Sequence, residues 1–591
     1  MGKKSYRRRD FLKAVGFGST ALAIPGSLML ACGSTRARKP NIVLIMSDDQ
    51  GWADIHSHGN PMLDTPVMDR LAASGTRLDR FFVSPVCAPT RAGLLTGRYP
   101  LRTGTTGVTR GRETMRSDEI TIAQVLKTAG YTTACFGKWH NGAHYPYHPN
   151  GKGFDQFLGF CAGHWNNYFD TQLDQNGEPV RTQGYITDVL TDAAMAFIDK
   201  NRNRPFFCYL PYNAPHSPYQ LPKKYFDKYR SRGADDELAS VYGMIENLDD
   251  NLGRLLQKLD ELKLAEDTIV IFIGDNGAGT ERFNAGMRGR KGSTHEGGIR
   301  VPCFIRWPGH IQAGSNTDRI AAHIDLLPTL VELAGVQQAR TLPLDGISLV
   351  PLLLGESENW PDRMIFTGFR NRGSVRTQRY RLVVQEEEPV ELFDMAADPG
   401  QLKNIAGERP EITSKLKQAY DEWHEEVTGP GLEVPPVPVG HRQRKLVELP
   451  AHEGHLEGGV KYQGVQGWAN DWVTGWTDID MSVYWDIDVV REGSYEVTLM
   501  YTCSQRELGS KMCVQIASER LEGIVEKAHD PAPVPSPDRV KRKEVYEKIW
   551  APLTLGTVRL EKRQTRLYVK ALNIPANSAL DLKAVRIRQL D

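Results

Sequence analysis

Two short acidic segments follow two of the most apolar stretches of the sequence. Residues 41–46 (NIVLIM) and 268–273 (TIVIFI) are continuous apolar runs, which is the pattern of buried parallel strands. The first run is followed by Ser47-Asp48-Asp49 and the second by Gly274-Asp275-Asn276. Ligands of open α/β sheets bind beyond the carboxyl ends of parallel strands, so these side chains can meet at one site. Their oxygens suit Ca²⁺ or Mg²⁺ rather than Zn²⁺; two unrelated Asp/Asn/Gly turns are the alternative.

A third segment, residues 86–98 (VCAPTRAGLLTGR), contains a candidate nucleophile. Pro89 suits the first position of a helix, which would place Cys87 at a positive helix N-terminus beside Arg91. On these grounds Cys87 is either a reactive thiolate or an inert buried cysteine.

The spacing Cys-x-Pro-x-Arg-x-x-x-Leu-x-Gly-Arg in this segment resembles the signature of formylglycine-dependent sulfatases of the alkaline phosphatase superfamily. Further blocks similar to that family follow in order, so that the resemblance covers residues 39–404. They are Gly137-Lys138-Trp139-His140, Ala214-Pro215-His216-Ser217-Pro218, Lys291 ahead of residues 296–302 (EGGIRVP), and residues 325–330, 345–349 and 391–394. Two positions depart from the family pattern: Thr90 replaces the commoner Ser, and Asn141 replaces a Leu, which points to a different substrate wall.

The resemblance implies a sulfuric ester hydrolase in which Cys87 is converted to formylglycine by a generating enzyme before export. One hydroxyl of the aldehyde hydrate would attack sulfur, and the other would then expel sulfate. By the same resemblance, Ca²⁺ is held by Asp48, Asp49, Asp275, Asn276 and the modified Cys87. The implied catalytic roles are diol stabilisation by Arg91, charge neutralisation by Lys138 and Lys291, deprotonation of the second hydroxyl by His140, and protonation of the leaving alcohol by His216 with Lys291.

The rest of the chain predicts how these residues are positioned. Strands alternate with helical patterns over some 300 residues, the clearest being the 3.6-residue apolar spacing from Tyr242 to Leu262. This predicts an α/β fold, and the resemblance makes it alkaline-phosphatase-like, with a mostly parallel sheet flanked by helices. The predicted domains are a catalytic α/β domain (39–350), a smaller α+β subdomain (351–427), a Pro/Gly linker (428–440) and an all-β β-sandwich module (441–591).

Residues 1–32 are predicted to be an export signal. Arg8-Arg9-Asp10-Phe11-Leu12-Lys13 looks like a bacterial twin-arginine motif and precedes an uncharged stretch that ends at Ala31. A Sec signal or an uncleaved anchor is the alternative. Leu30-Ala31-Cys32-Gly33 resembles a lipobox, in which Cys32 would be acylated, and ordinary cleavage nearby is the other interpretation. The mature chain is expected in the periplasm, outside the cell or on its surface, attached to a membrane only through Cys32.

Composition excludes one class of function. The 591 residues contain 73 Lys+Arg and 72 Asp+Glu, a net charge of +1, which argues against a nucleic-acid-binding protein. The expected partner is a sulfated carbohydrate. The rival interpretations are a phosphodiesterase or phosphonate hydrolase of the same superfamily, which would typically place histidine beside a metal-binding aspartate, and a non-catalytic glycan-binding lipoprotein.

Several weaker signals have an ordinary structural alternative. The histidines and aromatic residues between residues 141 and 170 either line a sugar subsite or pack a loop. The tryptophans of the β-sandwich module, at positions 468, 472, 476 and 485, either bind glycan or fill its core. Cys503 and Cys513 flank a predicted hairpin and could form a disulfide. The basic run at residues 541–543 (KRK) is predicted to be a solvated face.

Overall fold

The computed structural model describes residues 39–337, 339–356, 358, 360–464 and 466–591. The predicted export signal and Cys32 lie outside the described residues. The described residues belong to one compact unit, Lys39–Asp591, so the domain limits drawn from the sequence remain predictions. Within this part of the chain, no helix has the length and apolar character needed to span a membrane.

A ten-stranded sheet forms the centre of the N-terminal region, and two further short strands of this region pair in a separate two-stranded sheet. The strands of both are β1 (Asn41–Ser47), β2 (Thr76–Leu78), β3 (Phe81–Phe82), β4 (Thr132–Lys138), β5 (Gln156–Phe160), β6 (Gln172–Gln175), β7 (Glu178–Arg181), β8 (Phe206–Pro211), β9 (Thr268–Gly274), β10 (Cys303–Arg306), β11 (Ser315–Thr317) and β12 (Ala321–Ala322). The large sheet has the order β11-β2-β10-β9-β1-β8-β4-β5-β6-β7, and β12 pairs with β3. The five strands β9-β1-β8-β4-β5 are parallel, while β10 and β6 join them in antiparallel fashion.

Helices cover both faces of this sheet. They are α1 (Pro66–Ala73), α2 (Cys87–Thr96), α3 (Ile122–Thr128), α4 (Ile186–Asn201), α5 (Lys223–Ser231), α6 (Asp236–Glu261), α7 (Glu296–Ile299), α8 (Leu326–Leu333) and α9 (Val350–Leu353). In β1, Val43 and Ile45 enter the core that also contains the apolar stripe of α6, whereas Ile42 and Leu44 enter the core on the opposite face. A strand buried on both faces has no polar face, which is why the sequence of β1 is continuously apolar.

A smaller α+β region follows, as predicted. Its four antiparallel strands are β13 (Ile365–Phe369), β14 (Arg372–Arg376), β15 (Tyr380–Gln385) and β16 (Glu391–Asp394). Helix α10 (Pro410–Thr428) buries Leu416, Tyr420 and Trp423 in the apolar cluster of this sheet.

The C-terminal residues form two sheets, antiparallel apart from the parallel pair β17–β22, which confirms the all-β prediction. Their strands are β17 (Val437–Val439), β18 (Leu446–Pro450), β19 (His455–Glu457), β20 (Lys461–Tyr462), β21 (Val473–Thr474), β22 (Ser482–Val489), β23 (Gly493–Thr502), β24 (Lys511–Ile516), β25 (Glu519–Ile524), β26 (Ala551–Leu560), β27 (Arg563–Asn573) and β28 (Asp581–Gln589). One sheet has the order β17-β22-β27-β24-β25 and the other β20-β21-β28-β23-β26. Trp472, Trp476 and Trp485 are buried, while Trp468 is 38% exposed, so three of the four tryptophans serve as buried packing.

Regular structure occupies both ends of the predicted Pro/Gly linker, residues 428–440. Thr428 is the last residue of α10, and Val437–Val439 is strand β17, which pairs in parallel with β22. Pro438 can occupy this strand because β17 is an edge of its sheet, where the missing N–H of proline removes no ladder hydrogen bond. Residues 437–439 of the predicted linker therefore form a strand of the β-sandwich.

Two weaker predictions are wrong. Cys503 follows β23 and Cys513 lies in β24, strands that belong to different sheets and form no hairpin with each other, and both cysteines are free. The basic run 541–543 is not wholly solvated, since Arg542 is buried and pairs with Asp538 at 2.7 Å.

Candidate active site

The two acidic segments meet at the carboxyl edge of the parallel sheet, as predicted. Strands β1 and β9 are neighbours in register, with Ser47 opposite Gly274. The chain turns sharply after β1, and Asp49 adopts a left-handed backbone conformation with φ of 69°. Its N–H donates to Asp275 Oδ1 at 3.0 Å, so the two turns are joined directly. Asp48, Asp49, Asp275 and Asn276 are all buried at this edge.

Cys87 lies at the start of α2 and faces the same point. Its Sγ, a carboxylate oxygen of Asp48 and one of Asp275 lie within 4.8 Å of one another. The helix begins at Cys87, not at Pro89 as predicted, which puts the proline third in the helix. Proline is tolerated there because the first turn of a helix has no intrahelical acceptor for its N–H groups. Thr90 Oγ1 accepts from the Ser84 N–H and donates to the Ser84 carbonyl, a role that a serine hydroxyl can also perform.

Three cationic side chains pair with the three carboxylates. Lys138 Nζ lies 2.7 Å from Asp48 Oδ2, and Lys291 Nζ lies 2.6 Å from Asp49 Oδ1. Arg91, fully buried, donates to Asp275 Oδ2 at 2.8 Å and to the Lys138 carbonyl at 2.7 Å. Each predicted cation is therefore held in the site by a carboxylate.

The carboxylates differ in how easily they ionise. Burial and the charge of Asp48 raise the pKa of Asp275 to about 6, and burial raises the pKa of Asp48 as well. Burial alone would also raise the pKa of Asp49, but Lys291 and His216 hold it below its ordinary value. Two carboxyl groups whose ionisation is disfavoured mark a place where an added positive charge would be stabilised.

The donor set fits a hard divalent cation. Asp48 Oδ1 and Asn276 Oδ1 are buried and have no hydrogen-bond donor among the described residues. Asn276 Nδ2 donates to Asp49 Oδ1 at 2.9 Å, which fixes its amide in the cluster. Carboxylate and amide oxygens are the ligands that Ca²⁺ and Mg²⁺ prefer, and an oxygen on residue 87 would complete the set better than the thiol.

Each of the two predicted histidines has one ring nitrogen held by a backbone carbonyl and the other free of a hydrogen bond to the described residues. His140 Nε2 lies 2.8 Å from the Val108 carbonyl, so it carries the proton, and the buried Nδ1 has no partner in the described part of the chain. Burial and the charge of Lys138 hold the pKa of His140 well below its usual range, which leaves Nδ1 with a free lone pair. A neutral imidazole with this tautomer is arranged to accept a proton.

His216 has the complementary arrangement. Its Nδ1 donates to the Ser217 carbonyl at 2.7 Å, and its Nε2 faces Asp49 Oδ2 at 3.9 Å. Burial and the charge of Lys291 lower the pKa of His216, so its protonated form is a stronger acid than ordinary imidazolium.

Two further residues belong to the site, and neither was in the predicted catalytic set. His164 stacks parallel to His216 at 6.3 Å between ring centroids, and its buried Nε2 is without a partner in the described ranges. The histidine-rich character of residues 141–170 was the only sequence signal for it. Asn141 was expected to alter the substrate wall, but its Nδ2 donates to the Ala88 and Glu113 carbonyls, so it braces the start of α2.

Comparisons with known proteins agree with this geometry. The family model described as Sulfatase matches residues 40–336, and that of the N-sulphoglucosamine sulphohydrolase C-terminal region matches residues 290–426. Arylsulfatase A of Homo sapiens is 33% identical over 476 residues, covering 67% of this chain and 90% of that protein. N-acetylgalactosamine-6-sulfatase of Homo sapiens is 33% identical over 353 residues, covering 53% and 66%. The crystal structure of Ps i-CgsB in complex with k-i-k-neocarrahexaose gives a TM-score of 0.63 at 30% identity, covering 67% of this chain and 95% of that one.

A buried nucleophile position, an acidic cluster and paired cations at the carboxyl edge of a parallel sheet define a metal-binding hydrolase with the alkaline phosphatase fold. The chain belongs to the sulfatase family. It is a sulfatase, an enzyme that hydrolyses sulfate esters, and this membership confirms the predicted class over the phosphonate-hydrolase and non-catalytic alternatives.

Proposed function

We propose that this sulfatase removes sulfate from a sulfated carbohydrate, using formylglycine formed from Cys87 and a bound Ca²⁺. The observation that carries the proposal is the position of Cys87: its Sγ lies at the N-terminus of α2, within 4.8 Å of the Asp48 and Asp275 oxygens. When formed, the hydrated aldehyde would supply one hydroxyl to attack sulfur and a second from which sulfate can be expelled.

Asp48, Asp49, Asp275 and Asn276 would hold the Ca²⁺, together with an oxygen on residue 87. When bound, the cation would polarise a sulfate oxygen and favour ionisation of the hydroxyl on residue 87. The unpartnered Asp48 and Asn276 oxygens support this ligand set.

Five side chains of the site have the remaining roles in the proposed reaction. Arg91, fixed between Asp275 and the Lys138 carbonyl, lies beside residue 87 and stabilises negative charge there. Lys138 is paired with Asp48 and Lys291 with Asp49, and both can neutralise charge that develops on the sulfuryl oxygens. His140 Nδ1 would accept the proton of the second hydroxyl, and His216 Nε2 would give a proton to the departing alcohol oxygen.

A cavity outside the catalytic cluster supports a carbohydrate substrate. Tyr145, Tyr147 and Trp165 line this cavity of about 980 Å³, whose lining contains residues of the α/β region and of the β-sandwich but none of the proposed catalytic or metal-binding residues. Aromatic faces with a few polar groups suit sugar rings, and this volume is that of an ordinary ligand site. The relative Ps i-CgsB binds k-i-k-neocarrahexaose, an oligosaccharide. A screen of sulfate release from defined sulfated oligosaccharides tests this part, and release from aryl sulfates alone would contradict it.

Localisation follows from the sequence alone. We propose that the twin-arginine-like motif directs export to the periplasm or cell surface, with Cys32 as a lipid attachment point. A route that carries folded proteins would allow a formylglycine-generating enzyme and metal loading to act first. Cell fractionation of the full chain and of the double variant Arg8→Lys/Arg9→Lys checks this. Export of the double variant at the level of the unchanged chain, or export of the unchanged chain by a host that lacks the twin-arginine pathway, would contradict it.

His216→Ala should affect poor leaving groups most. General acid catalysis is worth about 10²–10⁴-fold, and an activated phenol needs little of it. We therefore expect kcat for a sugar sulfate to fall by about 10²-fold or more, and that for a nitrophenyl sulfate by about tenfold or less. Steady-state kinetics on both substrates measure this, and equal losses would make His216 a sulfate-binding residue only.

A further inference from the structure

The β-sandwich holds the loop that orients His140. The Val108 carbonyl accepts from His140 Nε2, and three residues later the Gly111 N–H donates to Glu453 Oε2 at 2.7 Å. Thr109 Oγ1 donates to the other oxygen of Glu453 at 3.3 Å. Arg110 adds a hydrogen bond to the Gln466 carbonyl at 3.0 Å and lies over a tyrosine ring of the same module. The acceptor of His140 is thus positioned by a carboxylate some 340 residues away in the chain.

A second part of the β-sandwich holds the segment that carries His216. Ser217, whose carbonyl accepts from His216 Nδ1, donates through Oγ to Glu544 Oε1. Gln220 Nε2 donates to Ser536 Oγ and to Asp538 Oδ1, both at 2.8 Å. These module residues lie in the long connection between β25 and β26, so this connection packs against the active-site segment of residues 216–220.

The β-sandwich also holds the loop of His164, through Asn470 between β20 and β21 and through the same β25–β26 connection. Asn470 Nδ2 donates to the His164 carbonyl at 2.9 Å. The buried Arg542 donates to the Asn166 carbonyl at 2.9 Å, and Asn166 Nδ2 donates to Glu547 Oε2 at 3.0 Å. Arg542 is itself held by Asp538 at 2.7 Å. The module therefore contacts each of the three irregular segments that position a histidine of the site.

We infer that the β-sandwich module is a positioning part of the active site: Glu453 sets His140 through the Val108 loop, and Glu544 sets His216 through Ser217. The two family models end at residues 336 and 426, before any of these module residues. The inference rests on the proposed roles of the two histidines. Irregular loops have no helix or sheet ladder to fix them, and a displacement of about 1 Å at a catalytic group can cost about 10²-fold in rate.

The two links predict opposite kinetic signatures, because the two histidines act in different steps. His216 acts when the leaving group departs, so Glu544→Ala and Ser217→Ala should each lower kcat for a sugar sulfate by about tenfold and change kcat for a nitrophenyl sulfate little. His140 acts after the leaving group has gone, so Glu453→Ala should lower kcat for the nitrophenyl sulfate by about tenfold or more, and by at least as much as for the sugar sulfate.

Conservative and matched variants separate positioning from general damage. Glu453→Gln keeps one acceptor oxygen for the Gly111 N–H and should recover part of the loss. Ser217→Ala/Glu544→Ala should be no slower than either single variant, since both remove the same bond. Glu522→Ala, which removes a module carboxylate paired with Lys511 at 2.6 Å, should keep wild-type kcat on both substrates.

The outcomes decide between the possibilities. The inference is supported if Glu544→Ala lowers kcat mainly for the sugar sulfate and Glu453→Ala lowers kcat at least as much for the nitrophenyl sulfate. Both variants should unfold at thermal midpoints close to that of Glu522→Ala. Wild-type kcat in both, or equal losses on both substrates that follow the thermal midpoint, would overturn it. A wild-type enzyme that releases no sulfate from either substrate would instead contradict the proposed function.

Discussion

Cys87→Ala should have no measurable sulfatase activity while the chain stays folded. The residue is 3% exposed, and its Sγ lies within 4.8 Å of carboxylate oxygens of Asp48 and Asp275, where an alanine side chain offers no nucleophile. Loss of a covalent nucleophile costs on the order of 10⁶-fold in kcat, which places the variant at the detection limit. Sulfate release from the best substrate measures the loss.

The matched control for this variant is Cys513→Ala. Cys513 is, like Cys87, a free cysteine that is 3% exposed, and it lies in β24 of the β-sandwich, where it plays no part in the proposed chemistry. It should keep wild-type kcat. Residual turnover of Cys87→Ala above about 1% of wild type would contradict the covalent mechanism.

Asp275→Asn should abolish activity together with metal binding. The change removes one of three clustered carboxylates and also the partner of Arg91 Nη2 at 2.8 Å, with almost no change in shape. The cluster then has less negative charge to hold a divalent cation, and Arg91 loses the charged partner that fixes its guanidinium. We expect kcat to fall by about 10³-fold or more and the Ca²⁺ content to fall from near one per chain toward none. Elemental analysis of purified protein checks the metal content.

Asp249→Asn supplies the control for a buried carboxylate outside the site. Asp249 accepts from the Val67 and Met68 N–H groups at the start of α1, and burial raises its pKa to about 7. This variant should lose stability yet keep its metal and, once folded, its kcat. An Asp275→Asn enzyme with full metal content and wild-type turnover would remove Asp275 from the ligand set.

Much of the site could be predicted because its residues follow directly from local patterns. Asp48 and Asp275 come at the ends of continuously apolar strands, and the carboxyl-edge rule brings such ends together without knowledge of the connecting chain. Cys87 and Arg91 lie in one short motif whose spacing is read directly. The parallel sheet and α6 were predictable for the same reason, since a strand buried on both faces and a 3.6-residue apolar stripe each have a distinct pattern.

Other features depend on packing that no local pattern reports. The edge position of β17, which allows Pro438 in a strand, depends on β17 pairing with β22 on one side and with no described strand on the other. Cys503 and Cys513 are close in sequence but lie on opposing sheets. The contact of Ser217 with Glu544 spans 327 residues, and neither residue alone suggests the other. His164 likewise emerges as part of the site only when its ring is seen stacked on His216.

The mass of one tryptic peptide tests the central claim most directly. Trypsin should release residues 81–91 (FFVSPVCAPTR), in which Cys87 is the only cysteine. Conversion of its side chain to an aldehyde should lower the peptide mass by about 18 Da and abolish its reaction with alkylating agents. In preparations with different degrees of conversion, specific activity should rise in proportion to the converted fraction. A preparation that hydrolyses sulfate esters at full rate with Cys87 fully alkylatable would contradict the mechanism.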